Sequence, residues 1–316
     1  MDEGFFISNV LNSAKSWDNA EYSKLGTLFV PDKIMGARRK SLLRGDINIQ
    51  WGSWFIESIV DPYQYIPFSK DYSNILEDSF LNIKNIFTHL THTEQHQLAC
   101  IAAEEVFKKV QFLRQTNKRS IFSREERFYL LEDSGVTPRC WICGHNFSQE
   151  AIDSFIDQKK YNIPKPIFID IFKPSGINDR DLKIEIDHVY AHSHGGEDDL
   201  SNLKICCGWC NQYKSAFRSI YDVSGAVIRA KNNKLNISSL PQKFWIVRLL
   251  ALVGKCEHES GCEKSIENSE LTIEPIIKSG APTPSNIRVI CPKHHYLGPK
   301  RMLPVEEVKQ AWEGKN

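Results

Sequence analysis

The sequence lacks an excess of charge of either sign. Its 40 lysine and arginine residues are balanced by 39 aspartate and glutamate residues, which leaves a net charge of +1. A polyanionic partner would therefore have to be bound by local clusters of positive charge. Three such clusters occur, at residues 37–44, 114–127 and 293–301. Each cluster can equally be an ordinary solvated helix face or loop, so charge alone identifies no partner.

Long apolar runs are also missing. The longest, FWIVRLLALV at residues 244–253, is interrupted by Arg248 and is much shorter than the roughly 20 residues that cross a bilayer. The N-terminus shows no charged segment followed by an apolar one, so we find no secretory signal. These absences predict a cytoplasmic protein that does not engage a membrane. The length of 316 residues predicts about two domains, at roughly 150 residues each.

Cysteine, in contrast, is plentiful. In a cytoplasmic chain, nine cysteines favour metal binding over disulfide bonds. Two C-x2-C pairs are present, Cys140 with Cys143 and Cys207 with Cys210. Together these four thiolates could enclose zinc tetrahedrally, with bonds of about 2.3 Å and no open position, so we predict a structural zinc site. We interpret Cys206, next to Cys207, as a bystander.

A second set of metal ligands belongs to an internal repeat. SNLKICCGWCN at 201–211 aligns without a gap with SNIRVICPKHH at 285–295, and IEIDH at 184–188 loosely parallels LTIEP at 271–275. The repeat predicts two copies of one zinc-bearing unit. In the second copy Glu274-Pro275 stands where the first has Asp187-His188. The predicted ligands of the second zinc are Cys256, Cys262, Cys291 and His294, with His258 or His295 as alternatives.

The Asp187-His188 pair is the candidate for chemistry. The carboxylate of Asp187 and the amide oxygen of Asn211 are hard ligands of the kind that Mg²⁺ prefers. His188 points to the other face of the strand end and can accept a proton from water. A base next to a divalent ion is sufficient for phosphodiester hydrolysis. We interpret His192 and His194, in the same loop, as exposed polar side chains.

The pattern C-x2-C…DH…GG…N…C-x2-C-N-x2-K resembles that of the HNH endonucleases, whose core is a ββα-metal finger with structural zinc. The resemblance covers Cys140 to Lys214, about a quarter of the chain. It implies that Asp187 and Asn211 hold Mg²⁺ or Mn²⁺ and that His188 is the general base. It further implies that Asn202 braces the loop and orients this histidine, and that Lys214 contacts phosphate. Ala191 replaces the usual loop proline, and the insert after Cys143 is longer than usual.

The resemblance and the repeat together predict an α+β fold. A mostly helical N-terminal region would precede a zinc-stapled ββα-metal HNH core and a second, degenerate zinc-binding HNH-like unit. The predicted divisions are 1–90, an N-terminal region of unknown role; 91–135, a helical lead-in; 136–220, the HNH nuclease core; 221–254, a linker and buried helix; 255–303, the degenerate HNH-like zinc module; and 304–316, a C-terminal helix.

Two classes of function remain open at this stage. One is a metal-dependent endonuclease acting on DNA or RNA, tRNA included; the other is a non-catalytic zinc module that binds nucleic acid or protein. The intact Asp187-His188 pair with Asn211 favours the enzyme. The helical segment ahead of the core is similar to that of the HNH partners of Septu-type and retron-type antiphage defence systems, which act beside an ABC-like ATPase. This similarity implies that the N-terminal region docks such an ATPase. A free-standing restriction-type endonuclease is the alternative.

Overall fold

The structure, a computed structural model, describes residues 3–13, 23, 25–36, 38–67, 70–114, 122–191 and 196–313. The helices are α1 Glu3–Ser13, α2 Asp32–Met35, α3 Lys40–Ile59, α4 Tyr72–Ile86, α5 His92–Arg114, α6 Arg124–Asp133, α7 Gln149–Asp157, α8 Gly208–Lys214, α9 Lys243–Val253 and α10 Val305–Glu313. The strands are β1 Phe168–Asp170, β2 Ile184–His188, β3 Leu203–Cys207, β4 Ile228–Asn232, β5 Ile237–Leu240, β6 Thr272–Pro275, β7 Ile287–Ile290 and β8 Met302–Pro304.

The N-terminal part is helical and has a core of its own. Helices α3, α4 and α5 pack together around buried apolar side chains, among them Ile75, Ile83, Ala102 and Val106. Helix α5 begins at a capping box in which the Thr91 backbone N–H donates to the Glu94 carboxylate and the Glu94 N–H donates back to the Thr91 hydroxyl. Such reciprocal bonds satisfy N–H groups that have no partner inside the helix.

The described strands form four antiparallel pairs: β1 with β8, β2 with β3, β4 with β5, and β6 with β7. Helix α8 follows the β2–β3 hairpin directly, so this part of the chain has the order strand, strand, helix. The β6–β7 hairpin is followed by turns, with a short 3-10 helix at Gly298–Arg301, before β8 begins. The predicted linker at 221–254 contains the β4–β5 hairpin, which packs against α10.

One hydrophobic core joins the β2–β3 hairpin, called here the first hairpin, to the β6–β7 hairpin, called the second. It extends from Leu130 to Trp312 and includes apolar side chains of both hairpins and of α9. Helix α9 is buried on most sides, as its composition predicted, and Trp245 donates from its indole N–H to the Ile220 carbonyl at 3.1 Å. The two hairpins are therefore parts of one packed body.

Helix α3 connects this body to the helical N-terminal part through buried polar contacts. Asp46, nearly fully buried, accepts from the Ile220 backbone N–H at 2.7 Å and from the Arg248 guanidinium at 2.7 Å. At the start of α3, Arg39 pairs with Glu257 and donates to the Ile287 carbonyl at 3.0 Å. Because buried ions need such partners, these contacts fix α3 against α9 and β7.

Several arginines of the three basic clusters turn inward. Arg39 is buried, as described above, and Arg301 is buried against Asp170 at 2.9 Å. Arg114 donates to the backbone carbonyls of Tyr65 and Ile66. Residues 115–121 of the second cluster lie outside the described residues. At least these three arginines therefore stabilise the fold. Within the described part of the chain, no helix has the length and apolarity needed to cross a bilayer.

Candidate functional site

The two C-x2-C pairs come together in one buried cluster, called here the first cluster. The sulfur atoms of Cys140, Cys143, Cys207 and Cys210 all lie within 4.8 Å of one another. The Cys143 and Cys207 sulfurs are 3.8 Å apart, which equals the edge, roughly 3.8 Å, of a tetrahedron with Zn–S bonds of about 2.3 Å. Cys206 lies outside this group, with its sulfur 3.7 Å from that of Cys140. The donor set therefore fits zinc.

A glycine next to each cysteine pair allows a close approach to the backbone of another segment. Each C-x2-C turn is called a knuckle: the first at residues 140–144, the second at 207–210. Gly144 closes the first knuckle with φ +70°, a conformation that favours glycine, and its N–H donates to the Cys140 carbonyl at 2.8 Å. Gly208 starts α8 between Cys207 and Cys210, and a Cβ on it would lie 2.0 Å from the Arg180 carbonyl oxygen. Glycine at both positions therefore lets each cysteine pair pack closely against a neighbouring segment, the first against Ser269 and the second against Arg180.

A buried lysine neutralises part of this cluster. Lys173 is almost fully buried and pairs with Glu270. Burial alone would lower the pKa of its ammonium group, but the Cys143 thiolate and the Glu270 carboxylate, with further thiolates, hold that pKa well above its ordinary value. Four thiolates around one Zn²⁺ leave a net negative charge, and a buried cation nearby offsets it.

The second cluster contains Cys256, Cys262, Cys291 and His294, whose ligand atoms also lie within 4.8 Å of one another. The Cys291 sulfur is 3.6 Å from the His294 Nδ1 and 4.0 Å from the Cys262 sulfur. Cys262 and His294 are only half-buried. Of the two alternative ligands, His258 stacks on the His294 ring at 4.1 Å, and His295 is buried against the Ile273 carbonyl. This donor set also fits zinc, in a more exposed position than the first.

Asp187 lies at the end of β2 and is buried. Its Oδ2 accepts from the Trp141 indole N–H at 3.0 Å, and its Oδ1 accepts from the Lys214 ammonium at 2.9 Å. Burial raises the pKa of the Asp187 carboxyl above its ordinary value, and Lys214 and Trp141 offset part of this rise. The structure thus presents a carboxylate oxygen that is already paired with a cation.

His188 and Asn202 lie at the base of the loop that follows β2. The His188 Nε2 is 2.6 Å from the Asp198 Oδ1. Asn202 accepts from the Tyr190 N–H at 2.8 Å and donates to the carbonyls of Tyr190 and Glu197 at 3.1 and 3.0 Å. The amide of Asn202 thus ties together both ends of the loop. His192 and His194 lie outside the described residues.

Asn211 and Lys214 are three residues apart on α8, so both face β2. The Asn211 amide donates to the Glu185 carboxylate at 2.7 Å, and Lys214 reaches Asp187 and the His188 carbonyl. The predicted phosphate ligand, Lys214, therefore contacts the predicted metal ligand in this structure. Oxygen atoms of Asp187 and Asn211 on one side of the hairpin are a donor set that fits Mg²⁺ or Mn²⁺, and the Lys214 ammonium shows that a cation is favoured there.

Sequence reasoning did not identify three contributors to this site: Trp141, Glu185 and Asp198. Glu185 is two residues before Asp187 and so lies on the same face of β2, a relation that strand periodicity could have revealed. Trp141 lies inside the first knuckle, and Asp198 inside the loop. No local pattern links either of them to the Asp187-His188 pair.

The second hairpin has an asparagine that holds its loop together, as Asn202 does in the first, but it has no Asp-His pair. Asn286 accepts from the Ile277 N–H at 2.8 Å and donates to the carbonyls of Ile277 and Ala281. The equivalent of Asp187 is Glu274, opposite Arg288 in the hairpin. Arg288 donates to its Oε1 at 2.9 Å, and the Tyr296 N–H donates to its Oε2 at 2.7 Å. This carboxylate is fully engaged by protein donors.

Comparison with known proteins agrees with the geometry of the first hairpin. The family model described as HNH endonuclease matches residues 176–217, which include Asp187, His188, Asn202, Asn211 and Lys214. No curated protein and no solved structure matches the chain. The match supports the HNH family for this stretch, and with it a nuclease that acts on nucleic acid.

Proposed function

We propose that this protein is a metal-dependent HNH endonuclease that hydrolyses phosphodiester bonds in DNA or RNA. One observation carries the proposal: β2 and α8 bring Asp187, Asn211 and Lys214 to one side of the hairpin, with His188 beside Asp187 at the strand end. The ligands of the two zinc-type clusters include none of these four side chains, which therefore remain available for chemistry.

In this proposal His188 removes the proton from the attacking water, a role that requires a base within hydrogen-bond reach of the water. Asn202 holds the two ends of the following loop together and so fixes the position of His188. A Mg²⁺ or Mn²⁺ ion held by Asp187 and Asn211 would neutralise charge on the phosphate and on the departing 3′-oxygen. Lys214 would transfer its contact from Asp187 to a phosphate oxygen. The products would carry 5′-phosphate and 3′-hydroxyl ends.

The reaction uses no 2′-hydroxyl group, so DNA and RNA, including tRNA, are both candidate substrates. We extend the proposal to a nuclease effector of antiphage defence that acts with an ABC-like ATPase docked on residues 1–90. This extension rests on the resemblance of the helical segment ahead of the core alone. A free-standing restriction-type endonuclease uses the same site, and the two readings differ in whether the purified protein cleaves without a partner.

The test is to incubate the purified protein with plasmid DNA and, separately, with total tRNA, in the presence of Mg²⁺ or Mn²⁺. The variants are wild type, His188→Ala, and His89→Ala as a control for loss of an exposed histidine in the helical part. We expect His188→Ala to lower the cleavage rate by about 10²–10⁴-fold, the usual contribution of a general base. We expect His89→Ala to cleave like wild type.

The degraded pool would identify the substrate class. Equal cleavage by wild type and His188→Ala would contradict the assignment of the base. Binding of either nucleic acid without cleavage, with and without added metal, would leave two candidates: the non-catalytic zinc module, and a nuclease that is inactive until its partner ATPase joins it.

A further inference from the structure

Each predicted ligand of the catalytic ion has one polar atom engaged by a residue outside the predicted motif. The indole N–H of Trp141 donates to the Asp187 Oδ2 at 3.0 Å. The Glu185 Oε2 accepts from the Asn211 Nδ2 at 2.7 Å. A carboxylate offers two oxygens and an amide only one, so these contacts determine which atoms remain for an ion.

Trp141 is held on two sides. It lies between Cys140 and Cys143 in the first knuckle, and its backbone N–H donates to the Ile205 carbonyl on β3 at 3.2 Å. Its ring is flanked by the ammonium groups of Lys204 at 5.9 Å and Lys214 at 6.0 Å. An indole N–H can only donate, so Trp141 reserves the Oδ2 of Asp187 and leaves Oδ1 for a cation. The Lys214 ammonium contacts this Oδ1 at 2.9 Å.

Glu185 acts on the other ligand. The Arg180 guanidinium donates to both of its oxygens, at 2.6 and 2.8 Å, which fixes the position of the carboxylate. A carboxylate accepts hydrogen bonds but cannot donate them. The nitrogen of the Asn211 amide must therefore face Glu185, and its oxygen Oδ1 faces away from it.

We propose that Trp141 and Glu185 are positioning residues for the divalent ion of this site. Each binds the side-chain atom that the ion does not use, so that Asp187 and Asn211 present one oxygen each. Trp141 also connects the first zinc cluster to the Asp187 carboxylate, because the knuckle that carries it is closed by that cluster. The inference rests on the proposed function, since it assumes that Asp187 and Asn211 bind the catalytic ion.

The experiment measures Mn²⁺ affinity of the full-length protein by electron paramagnetic resonance, together with zinc per chain by mass spectrometry. The variants are Trp141→Phe, which keeps a ring and removes the donor, and Glu185→Ala. Matched controls are Trp51→Phe and Glu132→Ala, both at exposed positions. Loss of a residue that orients a metal ligand usually weakens metal affinity by about 10–100-fold. We expect that loss in Trp141→Phe and in Glu185→Ala, with zinc content unchanged and the controls like wild type.

Two further readouts separate positioning from a general structural role. Glu185→Gln keeps an oxygen that can accept from Asn211, so we expect it to recover part of the affinity lost in Glu185→Ala. Saturating Mn²⁺ should restore more of the cleavage rate in Trp141→Phe than in His188→Ala, because the missing base cannot be replaced by more metal.

Wild-type Mn²⁺ affinity in Trp141→Phe and Glu185→Ala would overturn the inference and leave the proposed function intact. Loss of zinc from Trp141→Phe together with loss of Mn²⁺ affinity would overturn it as well, because the residue would then be supporting the knuckle. Equal Mn²⁺ binding by wild type and Asp187→Ala would remove the site itself, and with it the proposed function.

Discussion

An asparagine side chain holds the loop together in both hairpin units. The first unit is β2–β3 with α8, and the second is β6–β7. Asn202 and Asn286 each make three hydrogen bonds across the base of a loop. The units differ in how the equivalent acidic side chains are used. Asp187 accepts hydrogen bonds from one lysine ammonium and one indole N–H, whereas Glu274 accepts them from the Arg288 guanidinium and a backbone N–H.

Under the proposed function, this position serves metal binding in the first unit and structure in the second. A lysine ammonium is a point charge on a flexible stem and can be replaced by another cation, while an arginine fork is rigid and always charged. In the second unit the histidine position is also occupied by Pro275, which cannot accept a proton. Arg288 thus supplies the positive charge beside Glu274, which is almost fully buried.

The largest contrast is expected between the two cysteine clusters. Cys143→Ser should remove one zinc per chain and prevent folding or lower the melting temperature severely, because Cys143 is fully buried in the shared core. Binding free energies of structural zinc are about 10–16 kcal/mol in small zinc-dependent peptides. Cys262→Ser, at a half-buried ligand, should also remove one zinc but cost less stability. Zinc analysis and calorimetry measure both, and equal destabilisation would break the contrast.

The next contrast separates stability from metal binding. Glu274→Ala leaves the Arg288 guanidinium with the exposed Glu259 as its remaining ion-pair partner, so we expect a loss in the free energy of unfolding somewhat below the about 3–5 kcal/mol that breaking a fully buried pair costs. Asp187→Ala should cost less stability, because the long flexible side chain of Lys214 can turn toward solvent when its partner is removed, and it should abolish Mn²⁺ binding. Urea unfolding measures the stability of both variants, and Mn²⁺ titration measures their affinity for the ion. A protein in which Glu274→Ala loses Mn²⁺ affinity without losing stability would show that the second unit also binds the ion.

Smaller and more similar effects are expected for the two loop braces. Asn202→Ala and Asn286→Ala each leave backbone groups without partners, which costs about 1–3 kcal/mol where such groups are buried. Only Asn202→Ala should also slow cleavage, because only its loop adjoins His188. Parallel unfolding and cleavage assays measure the two quantities. If both variants slowed cleavage equally, the second loop would have to contribute to the reaction.

The smallest effect concerns Lys214, the cation already bound to Asp187. Lys214→Met removes a competitor for Oδ1, so Mn²⁺ affinity should rise, by roughly fivefold at most if the ion pair contributes up to about 1 kcal/mol. Lys204→Met is the matched control, because Lys204 lies opposite Asp187 on β3 and makes no ion pair with it among the described contacts. Weaker Mn²⁺ binding in Lys214→Met would mean that the lysine supports the ion.

Much of this arrangement was accessible from the sequence because it is encoded in spacing. The C-x2-C pairs, the repeated segments 201–211 and 285–295, and Asp187-His188 with Asn202 all predicted groups that the structure brings close together. The assignment of roles to these residues stays a prediction. The pairing of the knuckles needed no knowledge of the fold, since four cysteines in two matching pairs can satisfy one zinc only by meeting.

The contacts that the sequence did not predict join segments that lie far apart in the chain. Trp141 reaches Asp187 from 46 residues away, and Lys173 reaches Glu270 from 97 residues away. Nothing in the local pattern around Arg39 or Arg301 distinguishes a buried ion pair from a solvated basic cluster. The replacement of Asp187-His188 by Glu274-Pro275 was visible, but the arginine that neutralises Glu274 comes from the neighbouring strand.

The glycine that closes the first knuckle also bears on which changes of chain length the protein can accommodate. A Cβ on Gly144 would lie 2.2 Å from the Ser269 carbonyl oxygen, and the Leu271 N–H donates to the Cys143 carbonyl at 2.8 Å. The segment before β6 is therefore part of the surface against which the first knuckle closes. An insertion or deletion at 266–269 would disturb the cluster beside the Asp187-His188 pair. The length of the segment before β6 is therefore constrained by a metal-ligand cluster in the other hairpin unit.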